Sequence, residues 1–182
     1  MGFGSILVSG ATFLYLSDKE VVNNTFATGT QGLTLGSTVH LDIKDVKPGD
    51  DIIHYFTITN SGSLDMAKVL LHTNYTVLDS MGNNGTEDFG EHLFMEFLTP
   101  DGQIILQNQS LADLKKRTDS GESPDISGFN TNRMNLRVGE AKIIAMRFHF
   151  NDNDQDQNIF QGDQITLHWN LEAVQGIGNV HQ

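Results

Sequence analysis

The chain has 182 residues, 38% of them hydrophobic, and a formal net charge of −12, which suits one domain with its own core. Its 11 Lys and Arg are scattered among 23 Asp and Glu, which excludes a phosphate-gripping nucleic-acid surface and leaves divalent cations as the natural counterions. Without a single cysteine, disulfides, thiol catalysis and Cys-ligated metals are excluded, and stability must come from core and sheet.

The first apolar stretch, Phe3 to Leu16, is shorter than the roughly 18–20 residues of a membrane span and is broken by Gly and Ser. Any membrane contact is therefore confined to export. The stretch reads in two ways: the hydrophobic region of a signal peptide, or a β-strand, since Ile6, Val8, Phe13, Tyr15 and Leu16 are strand formers. Residues 17–30 read as a linker, 31–175 as the folded domain and 176–182 as a tail.

Period-two alternation then recurs along the chain. A short strand is expected within Gly32–Asp42, followed by the Pro-Gly turn Val46–Asp50. In DIIHYFTIT (51–59), Ile52, Phe56 and Ile58 oppose Ile53, Tyr55 and Thr57. KVLLHTNYTV (68–77) alternates through Val69, Leu71, Thr73, Tyr75 and Val77. Shorter strands are expected at Leu93–Leu98 and Gln103–Leu106. Thr86 is expected to cap one helical turn and Ser110 to cap LADLKKR, whose terminal cations suit a helix C-terminus. Arg117–Asn135, rich in Gly, Ser, Pro, Asp and Asn, reads as a long surface loop. In KIIAMRFHF (142–150), Ile144, Met146, Phe148 and Phe150 share a face. In ITLHWNLEA (165–173), Ile165, Leu167, Trp169 and Leu171 do the same. Seven or eight strands with almost no helix mean an all-β sandwich or barrel, and a sandwich has edges that must be covered, charged or paired.

Candidate chemistry is sparse. The seven histidines, at 40, 54, 72, 92, 149, 168 and 181, form no HExxH pair of the kind that grips a catalytic zinc, and no GxSxG is present. The chain therefore reads as a non-enzyme that needs no cofactor. One acidic run resembles the start of a calcium loop: Asp152, Asp154, Asp156 and Asp163 fall at positions 1, 3, 5 and 12. Gln157 stands where the sharp turn needs Gly, however. Calcium is thus a weak candidate ligand, and a solvated acidic loop is the plainer reading.

Seven stretches in order, GATFLYLSDKE (10–20), NNTFATGT (23–30), DIKDVKPGD (42–50), NSGSL (60–64), EDFGEH (87–92), SLADL (110–114) and NIFQGDQITLHWNLEAVQ (158–175), resemble the camelysin/TasA family of secreted biofilm-matrix fibre proteins, with the camelysin branch most similar. The resemblance implies a secreted jelly-roll β-sandwich in the extracellular matrix or at the cell surface. It implies self-association as a head-to-tail homopolymer, in which the N-terminal strand of one subunit completes a sheet of the next. An accessory fibre-nucleating protein is a further candidate partner. The family also carries an older metallopeptidase label. Here no Lys or Arg precedes Lys19, and Leu14 stands where relatives have the small residue that signal peptidase requires. Retention of the segment is therefore expected. Residues 3–16 would be the donor, anchored by Ile6, Val8, Phe13, Tyr15 and Leu16. A groove lined by Ile144, Met146, Phe148, Leu167, Trp169 and Leu171 would be the acceptor. Such a contact propagates as a filament rather than closing into a dimer. A cell-surface metallopeptidase and a monomeric calcium-binding surface domain are the alternatives.

Overall fold

The computed structural model describes residues 31–33, 38–127 and 136–175. The expectations for the donor segment, its cleavage, the linker 17–30 and the tail 176–182 lie outside the described residues.

Alternating dry and wet side chains make the strands, as their burial shows: in β3 (Asp51–Thr59) the core-facing Phe56 and Ile58 are buried while Ile53 and Tyr55 are exposed. The remaining strands are β1 (Gln31–Leu33), β2 (Thr38–Lys44), β4 (Met66–Leu78), β5 (Leu93–Leu98), β6 (Ile104–Ser110), β7 (Ala141–Phe150) and β8 (Gln164–Gln175). They form two sheets, ordered β1-β3-β7-β5-β6 and β2-β8-β4. The expected all-β sandwich is what the chain builds. Every pairing is antiparallel except β1 with β3, which run parallel because β2 intervenes in the other sheet.

Two α-helices are described. In α1 (Phe89–His92) the cap is Asp88, not Thr86: its carboxylate accepts the Gly90 N–H at 2.8 Å and the Tyr75 hydroxyl proton. Tyr75 is supplied by β4, a tertiary partner that local cap preference does not reveal. A methyl group at Gly90 would overlap that tyrosine ring, so only glycine fits there. In α2 (Leu111–Asp119) the cap is Ser110, as expected, with Oγ accepting the Asp113 N–H at 3.0 Å. The Pro-Gly turn also forms, with Gly49 at φ +86° and Asp50 N–H donating to Lys47 C=O at 3.0 Å.

Between the sheets lies an aromatic centre. Trp169 stacks on Phe148 at 6.1 Å and tilts against Phe97 at 6.1 Å, and Phe97 meets Phe56 edge-on at 5.9 Å. A second aromatic group, Phe89, Phe150 and Phe160, closes one end; Phe160 belongs to the 3-10 turn Asn158–Phe160 that leads into β8.

Candidate functional site

A sandwich has two flanks, and in this chain they differ. At one flank, β4 offers N–H groups on its outer edge, and four successive ones are met. Val69 N–H donates to Asp125 Oδ1 at 3.2 Å, Leu71 N–H to Pro124 C=O at 2.9 Å, Thr73 N–H to Thr118 Oγ1 at 2.9 Å and Tyr75 N–H to Asn74 Oδ1 at 2.8 Å. Ile126 returns an N–H to Val69 C=O at 2.8 Å and buries its side chain fully. Lower on the same edge, Met66 and Leu136 exchange a pair of hydrogen bonds at 3.0 Å. The expected surface loop is therefore partly a lid. Arg117–Asp119 completes α2, and Pro124–Ser127 lies against β4 through one isolated bridge, Asp125 to Leu70, with Pro124, Ile126 and Ser127 buried.

The other flank is the meeting place of β2 and the β1/β3 side, joined by short connections. Among the described residues the outer edge of β2 has no strand beside it. β1 pairs with Phe56–Ile58 of β3, and among the described residues no strand lies beside Asp51–Tyr55 on that side. Core-facing residues here are incompletely covered. Val39 and Ile52 pack on the core yet are only half-buried, whereas their counterparts on internal strands are fully buried. His54 is core-facing too, edge-on to Phe148 at 6.4 Å, and burial holds its pKa below the ordinary imidazole value. On the outward face of the same strand, Ile53 and Tyr55 are 42% and 48% exposed.

The six residues expected to line an acceptor groove are brought together, but as the core. Ile144, Met146 and Phe148 sit on β7, and Leu167, Trp169 and Leu171 on β8; all are buried. Each of these strands is flanked on both sides, β7 by β3 and β5, β8 by β2 and β4. A new strand cannot hydrogen-bond along either without displacing a neighbour. The donor residues Ile6, Val8, Phe13, Tyr15 and Leu16 lie outside the described residues.

The four acids of the calcium pattern do not gather. Asp152 Oδ1 accepts Asp154 N–H at 3.1 Å, and Asp156 Oδ1 accepts Asn158 N–H at 3.0 Å, so these carboxylates shape their own loop. Asp163 is 2% exposed and faces elsewhere, accepting Ser80 N–H at 2.9 Å and Asn84 Nδ2–H at 2.7 Å. Next to that tie, Asp79 accepts N–H groups from Gly82, Asn83 and Asn84, and these bonds, Asn84's foremost, hold its carboxyl below the usual range. This clasp between two distant turns was not legible in the sequence, where Asp163 reads as one more acid in a run.

The histidines are dispersed over strands and turns. His72 pairs with Glu172 at 2.7 Å and Ser123 at 2.9 Å, His149 with Asp51 at 3.2 Å, and His92 with Gln157 at 3.3 Å. Among the described residues no three His, Asp or Glu side chains are placed to hold one ion.

The family model described as Camelysin metallo-endopeptidase matches residues 2–180. The chain belongs to the camelysin family. It is also similar to the major biofilm matrix component of Bacillus subtilis (strain 168), with 26% identity over 219 aligned positions that cover 96% of this chain and 84% of the relative. The camelysin description implies a catalytic metal, and such a zinc takes three protein ligands beside a water. The donor sets described above do not fit it: each strand histidine that meets an acid does so in a separate pair. No hydrolytic step is derived from these residues.

Proposed function

We propose that this camelysin-family chain is a secreted structural subunit of an extracellular matrix fibre, and that copies join head-to-tail through the open flank. Residues 3–16 of one subunit add as a strand where β2 and the Asp51–Tyr55 part of β3 lack neighbours. Ile6, Val8, Phe13, Tyr15 and Leu16 then cover Val39, Ile52 and His54. The observation that supports this reading is the contrast between the strand edges: among the described residues no strand lies beside the outer edge of β2 or beside Asp51–Tyr55, where Val39, Ile52 and His54 are half-buried, while four successive N–H groups along β4 on the opposite flank find acceptors. The core residues Ile144, Met146, Phe148, Leu167, Trp169 and Leu171 form the floor beneath the added strand rather than its edge. Similarity to a biofilm matrix component supports the extracellular setting, and the camelysin family description alone favours a peptidase.

The test compares the full chain with one lacking residues 1–16, by electron microscopy and size-exclusion chromatography. Filaments from the first and a folded monomer from the second are expected. If the shortened chain polymerises as well as the full one, the fibre contact lies elsewhere and strand donation is wrong.

A further inference from the structure

On the outer face of the three-stranded sheet, strand register brings two imidazoles together. His40 of β2 and His168 of β8 are directly opposed. Both are on the solvent side of the sheet, their Nδ1 atoms are 2.7 Å apart, and their ring centroids are 4.7 Å apart with planes at 84°. Opposed residues on neighbouring strands have Cβ atoms about 4.5–5.5 Å apart, so the backbone itself sets this approach. At this distance one Nδ1–H can donate to the other ring's Nδ1. With the shared proton displaced, the two Nδ1 atoms are near enough for small side-chain rotations to turn both lone pairs onto one cation.

Ligand type selects the cation, since imidazole nitrogens favour transition metals over calcium or magnesium. At metal–nitrogen distances of about 2.0–2.1 Å, nitrogens at a right angle are about 2.9 Å apart, and nitrogens at a tetrahedral angle about 3.4 Å. The observed 2.7 Å is a hydrogen-bond distance, short enough that either arrangement is reached by a small opening of the pair. The geometry points to a two-histidine site, His40 and His168, for a divalent transition metal ion, with Cu²⁺ the tightest of the first-row ions at such nitrogen ligands. Asp42 lies two residues along β2 from His40, its Oδ1 accepting the Thr166 hydroxyl at 2.7 Å, and places negative charge beside the pair. The net charge of −12 favours any cation over the whole surface. Water completes the coordination on the exposed side. With two protein ligands this is an accessory surface site, distinct from a three-ligand catalytic zinc, and it does not rest on the fibre reading.

The full chain is titrated with Cu²⁺ and followed by calorimetry and electron paramagnetic resonance. One tight equivalent carrying two nitrogen ligands is expected. His168→Ala, and separately His40→Gln, should each weaken that equivalent by at least about tenfold and leave a single nitrogen ligand. His72→Ala removes a histidine of the same sheet face that is already engaged by Glu172 and Ser123, and should change neither affinity nor spectrum. Exposed positions keep the fold intact, which circular dichroism checks. Unchanged affinity in both H168A and H40Q overturns the site, and so does a wild-type spectrum with fewer than two nitrogens, which needs no variant.

Discussion

The two flanks of this sandwich solve the same problem in opposite ways. Along β4, four successive outward N–H groups find acceptors in Asp125, Pro124, Thr118 and Asn74. Along β2 and the start of β3, no comparable acceptors are supplied among the described residues. An edge strand left bare is a template for another strand. A chain that closes one edge so thoroughly has the means to close the other. The difference teaches that edge protection is local: the β4 edge is met by acceptors from Asp125, Pro124, Thr118 and Asn74, and among the described residues the β2/β3 edge has no such cover, which is where the proposed strand addition would act.

That contrast can be broken by substitution. Ile126→Ala removes the buried anchor of the closed flank and should cost about 2–5 kcal/mol in urea unfolding of the monomer. A cost below 1 kcal/mol would mean that Pro124–Ser127 lies on β4 without stabilising it. Asp163→Ala should follow at about 1–3 kcal/mol, because Ser80 N–H and the Asn84 amide lose their acceptor in a buried setting; the measurement is again the urea midpoint. Val39→Ala, on the open flank, should cost the monomer no more than about 1 kcal/mol, since its side chain is only half-buried. It should lower filament yield out of proportion to that loss. Equal yield from Val39→Ala and wild type at matched stability would remove Val39 from the contact.

The smallest effect is a pH slope. Burial depresses the His54 pKa in the folded chain below its unfolded value of 6.5. The unfolded state therefore binds this proton first as pH falls, and it does so more strongly than the folded state. Its stabilising contribution is present in full above about pH 6.5 and is lost as pH drops through that value toward the folded pKa. The monomer's unfolding midpoint should decline more steeply from pH 7 to pH 5 in wild type than in His54→Gln. Parallel declines would show that His54 is as hydrated folded as unfolded.

Much of the fold was legible because each strand carries its own dry face. Ile144, Met146 and Phe148 alternate on β7, Leu167, Trp169 and Leu171 on β8, and both sets are buried as the alternation requires. What alternation cannot give is adjacency across a sheet, since strand pairing is made by backbone groups that every residue carries. Alternation points to β7 and β8 as the apolar lining of a groove, and only the pairing shows that both strands already have neighbours on each side. The lid over β4 was hidden for a different reason. Its sequence is polar and turn-rich, and only Ile126 among Asp125–Ser127 signals burial. Asp88 displaced Thr86 as a cap because a tyrosine 13 residues earlier reaches it, and Asp163 left the acidic run because Asn84, 79 residues away, claims it.

The parallel pairing of β1 with β3 has a mechanical consequence. The segment before Gln31 leads directly into β1, whose residues Gln31, Gly32 and Leu33 run beside Phe56, Thr57 and Ile58 in the same direction. A tension applied to that segment along the strand axis loads the ladder in shear, so its hydrogen bonds resist together instead of opening one after another. Phe56 and Ile58 are buried, Phe56 edge-on to Phe97, so the load would pass from a three-residue strand into the core between the sheets. A tether joined in this way yields by sliding as a unit, and its working strength is a rate of rupture under force.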